Sequence, residues 1–139
     1  MILKLLAATG AAFLAIAATQ AHAADVAFGR WLTDDKAAIV KIGECGSKLC
    51  GRIERVLDPK APENDINNPD PKRRTKPLIG ALILSNYQRS DEGWAEGRAY
   101  DPKSGNSYRS NLEVLDNGQL KVTGCVLFVC KSKYWTRAR

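Results

Sequence analysis

The chain has 139 residues, of which 45% are hydrophobic, and its 21 lysines and arginines against 15 acids give a formal charge of +6. That length bounds it to one small domain with a modest core. The basic excess points to small anions or anionic envelope surfaces, and no nucleic-acid partner is expected of an exported protein.

Export is expected from the first residues. Lys4 precedes an Ala-rich apolar run from Leu5 to Ala18, and Ala21-His22-Ala23 supplies the small residues that a signal peptidase reads. Residues 1–23 therefore read as a signal peptide and 24–139 as one β-barrel-like domain, periplasmic or secreted. The apolar run is shorter than the roughly 20 residues of a membrane span, so no integral span is expected in the mature chain. Cleavage would also remove His22, the only histidine. Serine and cysteine nucleophile mechanisms, which need an imidazole to take a proton, are then excluded.

Taken in order, Gly29 to Thr33 reads as a first strand, Ala37 to Gly43 as a second and Leu49 to Leu57 as a third, alternating apolar and polar side chains. Cys45 and Cys50 flank a hairpin tip between the second and third, and Cys125 and Cys130 repeat the spacing later. An even cysteine set in an exported chain predicts two disulfides, and the two local pairings are favoured over bridges between the hairpins. Each local bridge would contribute about 2 kcal/mol by loop closure. No metal and no cofactor are expected.

Five prolines between Asp58 and Pro77 forbid a helix or central strand there. Asn67, Asn68 and Asp70 are residues whose side chains bond nearby backbone and fix turns, so this long loop is expected to be an ordered flap. Leu78 to Leu84 is almost wholly apolar and predicts a strand covered on both faces. Beyond the Ser90–Gly93 turn, Trp94, Glu96, Arg98 and Tyr100 are expected on one face and Ala95, Gly97 and Ala99 on the other. Tyr108, Ser110, Leu112 and Val114 share a face of the next strand. Asp116-Asn117-Gly118 marks a hairpin, and strands from Leu120 and from Cys130 to Arg137 complete the set. About eight short strands, with no sustained helical period, predict an all-β, small antiparallel barrel.

Gly29-Arg30-Trp31 at the start and Trp135-Thr136-Arg137 at the end resemble lipocalin-like barrels, in which the first tryptophan packs under an arginine from near the C-terminus. Trp31, Trp135 and Arg137 are accordingly read as structural. These residues, together with Cys45-Gly46, Leu49-Cys50-Gly51-Arg52-Ile53, Asp65 with Asn67-Asn68-Pro69-Asp70-Pro71, Pro77-Leu78-Ile79-Gly80, Trp94, Gly97, Tyr100-Asp101-Pro102, Gly105 and Tyr108, resemble the bacterial exported family catalogued as domain of unknown function 2147. The resemblance implies a small β-barrel with no assigned reaction. The segment Lys72-Arg73-Arg74-Thr75-Lys76 is more basic than that family leads one to expect.

Three functions follow. The first is a non-enzymatic barrel holding a small amphipathic or anionic ligand, hydrophobic in part, with Trp94, Tyr100 and Tyr108 as contacts and Arg73 or Arg74 supplying charge. The second is an envelope protein-interaction module docking through the 58–77 loop and the apolar Val126–Val129 tip. The third is a glycan hydrolase using paired acids such as Asp65 with Asp70 or Glu96 with Asp101. No catalytic residue is assigned.

Overall fold

A computed structural model describes residues 7–16 and 25–139. Residues 7–16 have no regular secondary structure, and the expected cleavage point after Ala23 lies outside the described residues. No helix among the described residues is long and apolar enough to cross a membrane.

Eight antiparallel strands close into an up-and-down barrel: β1 (Gly29–Leu32), β2 (Ala38–Cys45), β3 (Lys48–Val56), β4 (Leu82–Ser90), β5 (Gly93–Asp101), β6 (Asn106–Val114), β7 (Leu120–Val126) and β8 (Val129–Arg137). Because successive strands run in opposite directions, the β1–β2, β3–β4, β5–β6 and β7–β8 connections lie at one end. The other three lie at the opposite end with the entry segment 25–28. Closure between β1 and β8 is short, with only Trp31 opposite Arg137 and Leu32 opposite Thr136. The first half of β8 consequently has no strand on its β1 side, and the wall is open there.

The ring closes on the two ends of the chain. The Arg137 guanidinium lies 3.9 Å from the centroid of the fully buried Trp31 ring. It also donates to the carbonyl oxygens of Phe28 at 2.7 Å and Val26 at 2.6 Å, while Trp31 Nε1 donates to Ala27 O at 2.8 Å. Gly29 makes room for this clamp: its φ is +121°, and a Cβ there would stand 2.9 Å from the Arg137 guanidinium.

The interior is filled asymmetrically. Trp31, Val40, Ile42, Leu49, Leu84, Tyr87, Trp94, Leu112 and Leu120 form a packed core. At Gly97 a Cβ would fall 2.3 Å from the Tyr87 ring, so this glycine is what lets the aromatic ring lie inside. The Tyr87 and Ser110 hydroxyls are buried without hydrogen-bond partners. Burial pushes the Tyr87 hydroxyl far above its ordinary pKa.

Two local expectations are corrected. The apolar run from Leu78 does not form a strand covered on both faces. Gly80 takes φ +91°, Ala81 N donates to Leu78 O to close a turn, Leu78 is buried, Ile79 is exposed, and β4 begins only at Leu82. Trp94 does not share a face with Glu96. A bulge between Trp94 and Gly97, with Glu96 at φ +57°, returns Trp94 to the inward face with Gly97 and Ala99. Both disulfides are local. Cys125 lies directly opposite Cys130, whereas the Gly46-Ser47 turn places Cys45 opposite Lys48, so the Cys45–Cys50 bridge runs diagonally.

Candidate functional site

At the end carrying the β3–β4 connection the barrel is hollow. A cavity of about 750 Å³ opens there, walled by Ile53, Val56, Ile83, Ala99, Val122 and Trp135. Its volume falls in the range of roughly 300–1,000 Å³ typical of small-molecule sites. The wall is apolar because inward positions on a strand recur every second residue and the sequence fills them with aliphatic side chains here.

The β8 register explains its polar groups. Leu120 faces Trp135, Val122 faces Lys133 and Gly124 faces Lys131. Lys131 and Lys133 are therefore on the inward side with Trp135 and line the cavity, exposed to solvent through the open wall beside β1. Neither makes a hydrogen bond or ion pair with the described residues of the structure.

Three of the four acids that line the mouth, Asp35, Asp58 and Asp101, are engaged in hydrogen bonds, and Asp34 is the fourth. Asp35 accepts from Lys103 Nζ at 2.5 Å, Thr33 Oγ1 at 2.7 Å and the Ala37 amide at 3.0 Å. Partial burial pushes its carboxyl up, but these three donors outweigh it and hold the group down to about 2. Asp101 accepts from the Lys103 amide and Ser104 Oγ, each at 3.0 Å, and Asp58 from the Lys60 amide at 2.9 Å. Each fixes a turn, as short acids do.

The connection 57–81 forms a flap over this end, tied down at both of its sides. Asp65 is buried, with Oδ1 accepting from the Tyr100 hydroxyl at 2.6 Å and Oδ2 from Asn68 Nδ2 at 2.8 Å. Burial and the adjacent Asp65 carboxylate both push the Tyr100 hydroxyl far above its ordinary pKa, so it stays a donor. Asn67 Nδ2 donates to the carbonyls of Pro102 and Lys103. Gly105 takes φ +77° and lets Asn67 O approach to where a Cβ would be 2.1 Å away. Within the flap, Asn68 Oδ1 accepts from the Asp70 amide and Asp70 Oδ1 from the Lys72 amide.

Of the residues expected to touch a ligand, Tyr100 and Tyr108 line the cavity. Trp94 lies at the opposite, packed end, its Nε1 donating to Asp25 Oδ1 at 3.2 Å and its ring stacked near Phe28 and covered by Arg89. Arg73 and Arg74 do not line the cavity. Arg74 Nε donates to Asn68 O at 2.7 Å, and Arg73 stands 3.7 Å from Asp70. The two acid pairs stand in different surroundings. Both Asp65 oxygens accept hydrogen bonds within the flap end, and Glu96, exposed at the bulge of β5, does not line the cavity that Asp101 borders. No group of His, Cys, Asp and Glu able to hold a metal occurs among the described residues.

Lys131 and Lys133 escaped the sequence reading, although Val129, Lys131, Lys133 and Trp135 repeat every second residue and Trp135 alone fixes which side is inward.

Comparison with known proteins agrees with this fold. A solved structure described as "Protein HP1028 from the human pathogen Helicobacter pylori belongs to the lipocalin family" superposes with a TM-score of 0.73 at 22% identity, over 84% of this chain and 85% of that one. No curated protein matches the sequence significantly. The model of an uncharacterized protein family conserved in bacteria, DUF2147, matches residues 29–137, and the chain belongs to that family.

Proposed function

From that membership and the half-empty lipocalin-like barrel, we propose that this chain is an exported, non-enzymatic carrier that binds a small amphipathic anion in the flap-end cavity. The observation that carries the reading is the pairing of an apolar cavity with two lysines on its rim that have no partner among the described residues. A core built only for stability would be filled, since an unfilled volume forfeits contacts along its whole lining. The apolar tail of the ligand packs on Ile53, Ile83, Val122 and Trp135, and its anionic head meets Lys131 and Lys133. Tyr100 and Tyr108 border the tail, and the flap, held by Asp65 and Asn67, covers it. Arg73 and Arg74 take no part in this version of the site. Export is supported by the paired cysteines, which persist in oxidising compartments, and by the leader-like N-terminus.

Titration with a dansyl-labelled medium-chain fatty acid tests this. Saturable one-to-one binding is expected, and Lys131→Glu with Lys133→Glu should weaken it tenfold or more, because charge-assisted hydrogen bonds contribute roughly 1.5–3 kcal/mol each. Binding that is undetectable, or unchanged in the double variant, would refute the assignment.

A further inference from the structure

We propose that the β7–β8 tip is a membrane anchor that seats the open end of the barrel on an anionic lipid surface. The tip is Val126-Leu127-Phe128-Val129, exposed to 55%, 78%, 100% and 66%. Two-residue hairpin turns are ordinarily made of Asn, Asp or Gly, which accept positive φ cheaply. This barrel follows that habit elsewhere, with Gly46-Ser47 between β2 and β3, Asp91-Glu92 between β4 and β5, and Asn117-Gly118 within the longer β6–β7 loop. At the tip, however, Leu127 is held at φ +54° and Phe128 is wholly exposed. The Cys125–Cys130 bridge closes the base of the hairpin. Conformational cost and exposure both run against such residues, so they are explained by what they touch rather than by the fold.

Size and charge decide between a lipid and a protein as that contact. The four side chains of the tip offer on the order of 400 Å² of apolar surface, short of the roughly 800 Å² per partner of a stable protein interface. A narrow apolar knob is suited to the headgroup–acyl boundary, where apolar insertion and basic flanks act together. The flanks here are basic: Arg109 donates to Leu127 O at 3.4 Å, and Lys131 and Lys133 follow on β8. The exposed Lys72, Arg73, Arg74 and Lys76 of the flap stand at the same end. Flap and tip both belong to this end of the barrel, and Val126 and Val129 also line the cavity, so the anchor would bring its mouth against the lipid.

Flotation of the purified protein with vesicles tests the proposal, comparing equal parts phosphatidylglycerol and phosphatidylcholine with phosphatidylcholine alone. The protein is expected to float with the anionic vesicles, less with the neutral ones, and less as salt is raised. Phe128→Asp should reduce flotation about tenfold or more with an unchanged melting temperature, since that side chain packs on nothing. Phe128→Trp should show a blue-shifted emission on anionic vesicles. Gly124→Phe, which fills the cavity, should float like the unmodified chain, so this proposal and the ligand reading fail separately. Failure to float, equal flotation of Phe128→Asp, or equal binding to neutral vesicles would overturn it. So would a tip-dependent protein complex formed while the chain stays off vesicles.

Discussion

Removing Arg137 tests whether the barrel is closed by its two chain ends. In Arg137→Ala the guanidinium over Trp31 is lost, worth about 0.5–1 kcal/mol at an exposed site. Two charge-assisted hydrogen bonds, to Phe28 O and Val26 O, go with it, each roughly 1.5 kcal/mol at the low end appropriate to exposed groups. These carbonyls can recover water, and the three terms share one side chain and do not add fully. The expected loss is therefore about 2–3 kcal/mol, a large fraction of the 5–15 kcal/mol that holds a domain together. In a domain near 100 residues this corresponds to a fall of about 10 °C in Tm. Urea melts followed by tryptophan fluorescence should show a lowered midpoint at unchanged slope. Arg137→Lys, which keeps the charge but cannot reach both carbonyls while covering the ring, should fall between. A loss below about 0.5 kcal/mol would refute the view that β1 and β8, joined by so few residue pairs, depend on this clamp.

Two further outcomes are expected. Gly97→Ala places a methyl group 2.3 Å from the Tyr87 ring, which is fully buried and cannot yield; it should cost about 1–3 kcal/mol by overpacking, read as a lower Tm. The Asp35 carboxyl is lowered from 3.8 to about 2, so the stability it contributes is full above about pH 4 and is lost as the pH falls toward 2. Discounted for its exposure, this amounts to about 1 kcal/mol, and Asp35→Asn should flatten the acid limb of a pH–Tm profile.

The strands were legible because inward positions on β3, β6 and β7 alternate cleanly and Gly, Asn and Pro punctuate the turns. Closure was legible because Trp31 and Arg137 sit at the two ends of the chain. What was hidden follows from events that alternation does not encode. The bulge at Glu96 shifts the phase of β5 and carries Trp94 inward, at the end opposite the flap. The turn at Gly80 divides an apolar run that looked continuous. Lys131 and Lys133 went unremarked. Their inward placement depends on a register set by Trp135, and their solvent access on a closure too short to cover β8. Arg73 and Arg74 form the densest basic cluster in the chain, yet density of charge does not show direction, and Arg74 binds flap carbonyls.

The central claim is that the flap-end cavity holds an amphipathic anion, and native mass spectrometry of the protein purified from its native host tests it most directly. A retained anionic molecule of a few hundred daltons is expected on the unmodified chain. It should be absent from Gly124→Phe, where a side chain grows into the cavity from a position whose Cβ meets only ordinary contact, 3.5 Å from Tyr108. Ligand-free masses for both proteins, unchanged when a medium-chain fatty acid is added, would contradict the account.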